Sequence, residues 1–134
     1  MIVADTNLIL ALCLWGENTR IAEDVFKKDP GWAAPLLWRS EFRNALVTYI
    51  RRGSIGFETA ALIADEAERL MEENEYEVNS ADVLSLAARS GCSAYDCEFV
   101  ALARELRVPL VTLDKDILAA FPEIAIPLGD FAKR

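Results

Sequence analysis

Short apolar runs alternate with longer amphipathic stretches along the whole chain, and this rhythm limits the fold more than any other feature. The runs fall at residues 2–4, 32–34, 76–78, 110–112 and 124–126. Between them, apolar spacing predicts helices over residues 7–15, 18–28, 35–52, 57–73, 80–89, 94–106 and 115–120. The punctuation agrees. Asn18 or Thr19 and Ser80 are placed as caps, Pro35 suits a first turn, and Gly53 and Gly91 suit helix ends. Strands that are apolar on both faces need cover on both sides, and parallel neighbours need long crossovers. The expected fold is therefore α/β, a single domain over residues 1–134 with helices on a central, mostly parallel sheet.

With 134 residues, 53% of them hydrophobic, the chain has material for one core. Its longest apolar run, residues 8–15, falls short of the roughly 18 residues that a bilayer span needs. No Lys or Arg precedes that run, so a soluble, cytoplasmic protein with no signal peptide and no membrane span is expected. Histidine is absent altogether. That excludes a Ser-His-Asp triad, a Cys-His pair and a His-based zinc site. Cys13, Cys92 and Cys97 are an odd number without a CxxC pair, and suit reduced, packed thiols. Any chemistry here rests on carboxylates, hydroxyls, Lys or Arg, with or without a hard metal ion.

The net charge of -8 is unevenly spread. Residues 58–77 carry eight acids against one base, Arg69, whereas Arg39, Arg43, Arg51 and Arg52 surround the single acid Glu41. One reading is a pair of solvated helix faces. The other is a protein that repels nucleic acid overall but keeps one positive approach, past Arg39 and Arg43. Two apolar stripes, one with Leu8, Leu12 and Trp15 and one with Leu62, Leu70 and Met71, are further candidates for contacts with partners.

Ligand sites of parallel α/β sheets lie beyond the carboxyl ends of the strands. Asp5 and Asp114 stand at two such ends, each also placed as the cap of the helix that follows. Asp96 shares a helix face with Phe99, Val100 and Ala103, or is a first-turn acid favoured by the helix dipole. Glu41 borders the Trp38–Ala45 stripe, or pairs with Arg39 or Arg43. Gathered together, the four acids would repel one another without a cation, and Mg²⁺ or Mn²⁺ prefers such oxygen donors. Asn7, Ser93 and Thr112 are placed to orient carboxylates or waters, or to serve as caps and turn residues.

These segments together resemble the PIN-domain ribonucleases, and most closely the VapC-type toxins of toxin–antitoxin pairs. The opening Ile2-Val3-Ala4-Asp5-Thr6-Asn7 looks like that family's first strand and first acid. Trp38-Arg39-Ser40-Glu41-Phe42-Arg43 resembles its central helix, and Ser93-Ala94-Tyr95-Asp96-Cys97 its third motif. Thr112-Leu113-Asp114-Lys115-Asp116 is similar to its closing Thr-x-Asp. The resemblance implies a three-layer α/β/α PIN-like domain and metal-dependent endonucleolytic cleavage of RNA. It carries over Asp5, Glu41, Asp96 and Asp114 as an acidic quartet that holds Mg²⁺, or Mn²⁺ in its place. Asn7, Ser93 and Thr112 become its support, and Asp116 a fifth acid or a helix-start cap. It also implies a small cognate antitoxin as partner, and a homodimer. Other classes fit less well. A phosphatase of the haloacid-dehalogenase type wants an acid where Asn7 stands, and a signalling receiver wants adjacent acids where Ala4-Asp5-Thr6 has one. A catalytically silent or stand-alone PIN-like domain would carry the same motifs.

Overall fold

The computed structural model describes residues 1–134. In chain order the elements are β1 (Ile2–Ala4), α1 (Thr6–Cys13), α2 (Thr19–Lys28), β2 (Trp32–Pro35), α3 (Leu37–Arg51), α4 (Phe57–Met71) and β3 (Glu75–Tyr76). There follow α5 (Ser80–Ser90), α6 (Ala94–Leu106), β4 (Leu110–Thr112), α7 (Lys115–Ala120), β5 (Ala125–Pro127) and α8 (Leu128–Lys133). All five strands pair in parallel, in the order β3-β2-β1-β4-β5. This is the α/β fold on a parallel sheet that the alternation predicted, in the three-layer α/β/α form that the family resemblance implied.

The centre of the sheet explains its composition. Every residue of β1, β2 and β4 is buried, because helices cover both faces. Trp32 packs edge-on against Phe26 and Trp38 against Phe42, with ring centroids 5.4 and 5.5 Å apart. In α3, Trp38, Phe42 and Leu46 bury one stripe at a spacing of four residues. The β1–β4 register pairs Val3 with Leu110 and Ala4 with Val111. Consequently the two strands end side by side, and Asp5, just beyond β1, becomes a neighbour of Thr112 at the end of β4 and of Leu113 and Asp114 beyond it. No helix is long and apolar enough to cross a membrane.

Several boundaries differ from expectation, for physical reasons. Pro35 ends β2 and does not open a helix. Ala34 and Leu36 donate their N–H groups to Asn74 and Tyr76 of the β3 side, so the N–H that Pro35 lacks is not needed by that ladder. The cap of α5 is Asn79, which accepts from the Asp82 N–H at 3.0 Å, and Ser80 is the first helical residue. Strand β3 is two residues long and lies one residue before the expected run, at Glu75–Tyr76. Helix α8 was not foreseen. It buries only Leu128 and Phe131, too few to show a period, and docks when Lys28 Nζ donates to the Phe131 carbonyl at 2.8 Å.

The two apolar stripes are split by the core. Leu8 and Met71 are fully buried, whereas Leu62 and Trp15 are 66% and 80% exposed. Neither stripe is a continuous free face.

Candidate active site

Asp5 is the most constrained of the candidate residues. One carboxylate oxygen accepts the Thr6 N–H at 2.7 Å. The other accepts the Thr112 hydroxyl at 2.6 Å and the Asn7 amide at 3.3 Å. Burial raises the carboxyl from 3.8 to about 6, against the opposing pull of the Thr112 and Thr6 hydrogen bonds. Thr112 Oγ1 also accepts the Asp114 N–H at 2.9 Å, and Asn7 Oδ1 accepts the Leu113 N–H at 3.2 Å. Asn7 and Thr112 therefore stitch the end of β1 to the end of β4 and fix Asp5 relative to Asp114.

Asp114 is the cap of α7 as well as a wall of the site. Its Oδ1 accepts the N–H groups of Asp116 and Ile117 at 2.8 and 3.0 Å, leaving Oδ2 without a hydrogen bond. Capping and a place in the cleft coincide, because one carboxylate has two oxygens. Ser93 caps α6 by accepting the Asp96 N–H at 3.0 Å, which places Asp96 in the first turn. Burial raises the Asp96 carboxyl, and the nearby Asp114 charge raises it further. Glu41 makes no ion pair with Arg39 or Arg43. It accepts the Thr6 hydroxyl at 2.6 Å, and burial raises its carboxyl too, with Asp96 and Glu98 adding to the rise.

All four acids line one open cleft of about 260 Å³, together with Thr6, Asn7, Leu10 and Ala45. No Lys or Arg lines it. Thr6 was passed over in the sequence, although it stands between Asp5 and Asn7; its hydroxyl ties α1 to Glu41 of α3. Asp116 and Ser93 lie outside this cleft, in an adjoining hollow that shares Asp96 with it.

The expected placement of Arg39 and Arg43 beside the acids is corrected. Residues two apart on a helix diverge by about 200°, so both arginines point away from Glu41. The Arg39 guanidinium donates to Glu75 at 2.6 and 2.8 Å and to Glu68 at 3.0 Å, and Arg43 stands 3.9 Å from Glu68. Both thus face α4, and Arg39 also reaches Glu75 of β3.

As the side chains stand, no three Asp, Glu or Cys groups are arranged to hold a single metal ion. The donor chemistry still fits a hard divalent cation. Only oxygen donors face the cleft, three of its acids are raised by burial and by one another, and nothing cationic relieves them. Asp5 is buried, while Asp96 and Glu41 are half-buried at the cleft.

A model of the PIN domain matches residues 2–124. Ribonuclease VapC3 of Pyrobaculum aerophilum is 29% identical over 136 residues, covering 94% of this chain and 98% of that protein. The crystal structure of PAE2754 from Pyrobaculum aerophilum superposes with a TM-score of 0.80 at 22% identity, over 99% of this chain and 94% of the other. A toxin–antitoxin complex from Klebsiella pneumoniae contains a chain that matches with a TM-score of 0.70 at 18% identity, over 96% of this chain and 98% of its own length. The fold of both solved structures is the fold of this chain. With the family match spanning all four acids and nearly the whole sheet, the chain belongs to the PIN domain family.

Proposed function

We propose that this protein is an endoribonuclease that uses Mg²⁺, or Mn²⁺ in its place, and is the toxin of a toxin–antitoxin pair. One observation carries the reading: four carboxylates from four separate segments line a single cleft that no basic side chain enters. The likeness to a protein named Ribonuclease VapC3 supports RNA as the substrate. The likeness to a chain of a toxin–antitoxin complex supports a cognate antitoxin as partner. A cytoplasmic homodimer completes the reading.

Asp5, Glu41, Asp96 and Asp114 are the residues that would hold the ion. When bound, a divalent ion activates water and stabilises the charge that develops in phosphodiester displacement. The protein's own part is placement. Thr112 and Asn7 fix the Asp5 carboxylate, the Thr6 hydroxyl holds Glu41 at the cleft, and the α6 cap presents Asp96. Burial, with like-charge crowding added to it, makes the charged form of Asp5, Glu41 and Asp96 costly without a cation.

Purified protein incubated with mixed RNA should cut it when Mg²⁺ or Mn²⁺ is present and stop when EDTA is added. Cleavage that survives EDTA, or RNA left intact in both metals, would overturn the proposal.

A further inference from the structure

A second hollow, of about 240 Å³, adjoins the carboxylate cleft, and Asn7 and Leu10 line both. It lies under the turn that joins α1 to α2. That turn is pinned from within: the buried Thr19 hydroxyl accepts the Gly16 N–H at 2.9 Å and donates to the Ala11 carbonyl at 2.7 Å. On this braced turn stands Trp15, 80% exposed, whereas Trp32 and Trp38 are 1% and 0% exposed. Tyr49 of α3 also lines the hollow.

The lining chemistry selects the occupant. No Lys or Arg is present and Glu17 is, so a phosphate is repelled. Asn18, at the cap position of α2, makes no capping hydrogen bond, which leaves its amide free to donate and accept. Two aromatic side chains with a free carboxamide and a carboxylate match a neutral, flat group whose edge carries donors and acceptors. A nucleobase is such a group, and sequence-tolerant stacking on aromatic side chains is how proteins hold single strands. We propose that this hollow holds an unpaired base of the RNA next to the phosphate being cut, stacked on Trp15. The inference rests on the nuclease reading above and extends it to single-stranded substrate. It also gives an acidic protein a way to hold RNA that does not depend on arginines.

The test uses Trp15→Ala and Trp15→Phe. Trp15 is the one solvent-exposed tryptophan, so emission at long wavelength reports on it directly. In the Asp96→Asn protein with Mg²⁺, a single-stranded oligoribonucleotide should quench that emission, and a chain of the same length without bases should not. In the otherwise native protein, Trp15→Ala should raise KM for RNA by about tenfold or more, the scale of one lost base stack. It should leave kcat and melting temperature unchanged, and Trp15→Phe should restore KM. If native protein cuts RNA while Trp15→Ala leaves KM unchanged, or while the oligoribonucleotide fails to quench the Trp15 emission, the proposal is overturned and the nuclease reading stands. If Trp15→Ala instead abolishes self-association in sedimentation with KM unchanged, the face is a contact between copies and the proposal is again overturned. If native protein neither binds nor cuts RNA, both readings fall.

Discussion

Carboxylates in this molecule meet two opposite fates. At the α3–α4–β3 corner, Glu75 accepts two hydrogen bonds from Arg39, at 2.6 and 2.8 Å, and one from Trp38 Nε1 at 2.8 Å. The Arg39 hydrogen bonds hold its carboxyl below the usual 4.5. In the cleft, Asp5, Glu41 and Asp96 have hydroxyl, amide or N–H partners but no cation, and all three carboxyls are raised. The first cluster spends its charges on holding three elements together. The second keeps its charges uncompensated at a cost in stability, as the metal site proposed above requires. What distinguishes them is the presence of a partner cation.

If the comparison holds, substitutions in the two regions affect different properties. The largest effect is expected in the cleft. Asp96→Asn should lower kcat/KM for RNA by more than about 100-fold, since even residues that only orient metal ligands cost 10–100-fold. Its melting temperature without metal should stay level or rise, because repulsion with Asp114 is relieved. A clear fall would make Asp96 a structural residue and erase the contrast.

The corner should respond the other way. Arg39→Ala should cost roughly 1–2 kcal/mol at neutral pH, a figure discounted for the exposure of the guanidinium. It should leave kcat unchanged, because Arg39 does not line the cleft. Glu75 supplies the sign of the pH dependence. Its folded pKa is depressed, so its contribution is present above the unfolded value of 4.5 and is lost as pH falls through the lower folded value. Urea unfolding at pH 7 and at pH 3 should therefore show the gap between native and variant narrowing in acid. A drop in kcat without loss of stability would return Arg39 to the RNA path.

The smallest effect belongs to Asp5 and has the opposite sign. Its folded pKa, about 6, is above the unfolded 3.8, so the folded state binds the proton more tightly. Metal-free protein should gain about 1 kcal/mol on acidification from pH 7 to pH 5. Asp5→Asn should flatten that slope in a chemical denaturation series, and an unchanged slope would place the titration on another group.

Much of the fold was legible because it follows from local periodicity. Residues 94–106, 110–112 and 115–120 form the elements that their apolar spacing predicts, and Asp5 and Asp114 stand at strand ends as expected. The lack of histidine, the oxygen-only chemistry and the order of the four acids were likewise properties of the chain itself. Partnership was not. Arg39 surrounds Glu41 in sequence yet binds Glu75, 36 residues away, because a helix turns its residues through about 100° each and only packing decides which face meets which neighbour. The Thr6–Glu41 and Thr112–Asp5 bonds span 35 and 107 residues, and only the parallel register of β1 on β4 makes the latter pair neighbours. Trp15 reads in the sequence as part of one apolar stripe with Leu8 and Leu12; the early end of α1 at Cys13 and the braced turn after it are what leave it in solvent beside the cleft while Leu8 is buried. Patterns repeated every few residues determine which elements form. Which charges are neutralised and which stay free depends on contacts between residues far apart in the chain, and those exist only once the sheet and its helices have packed.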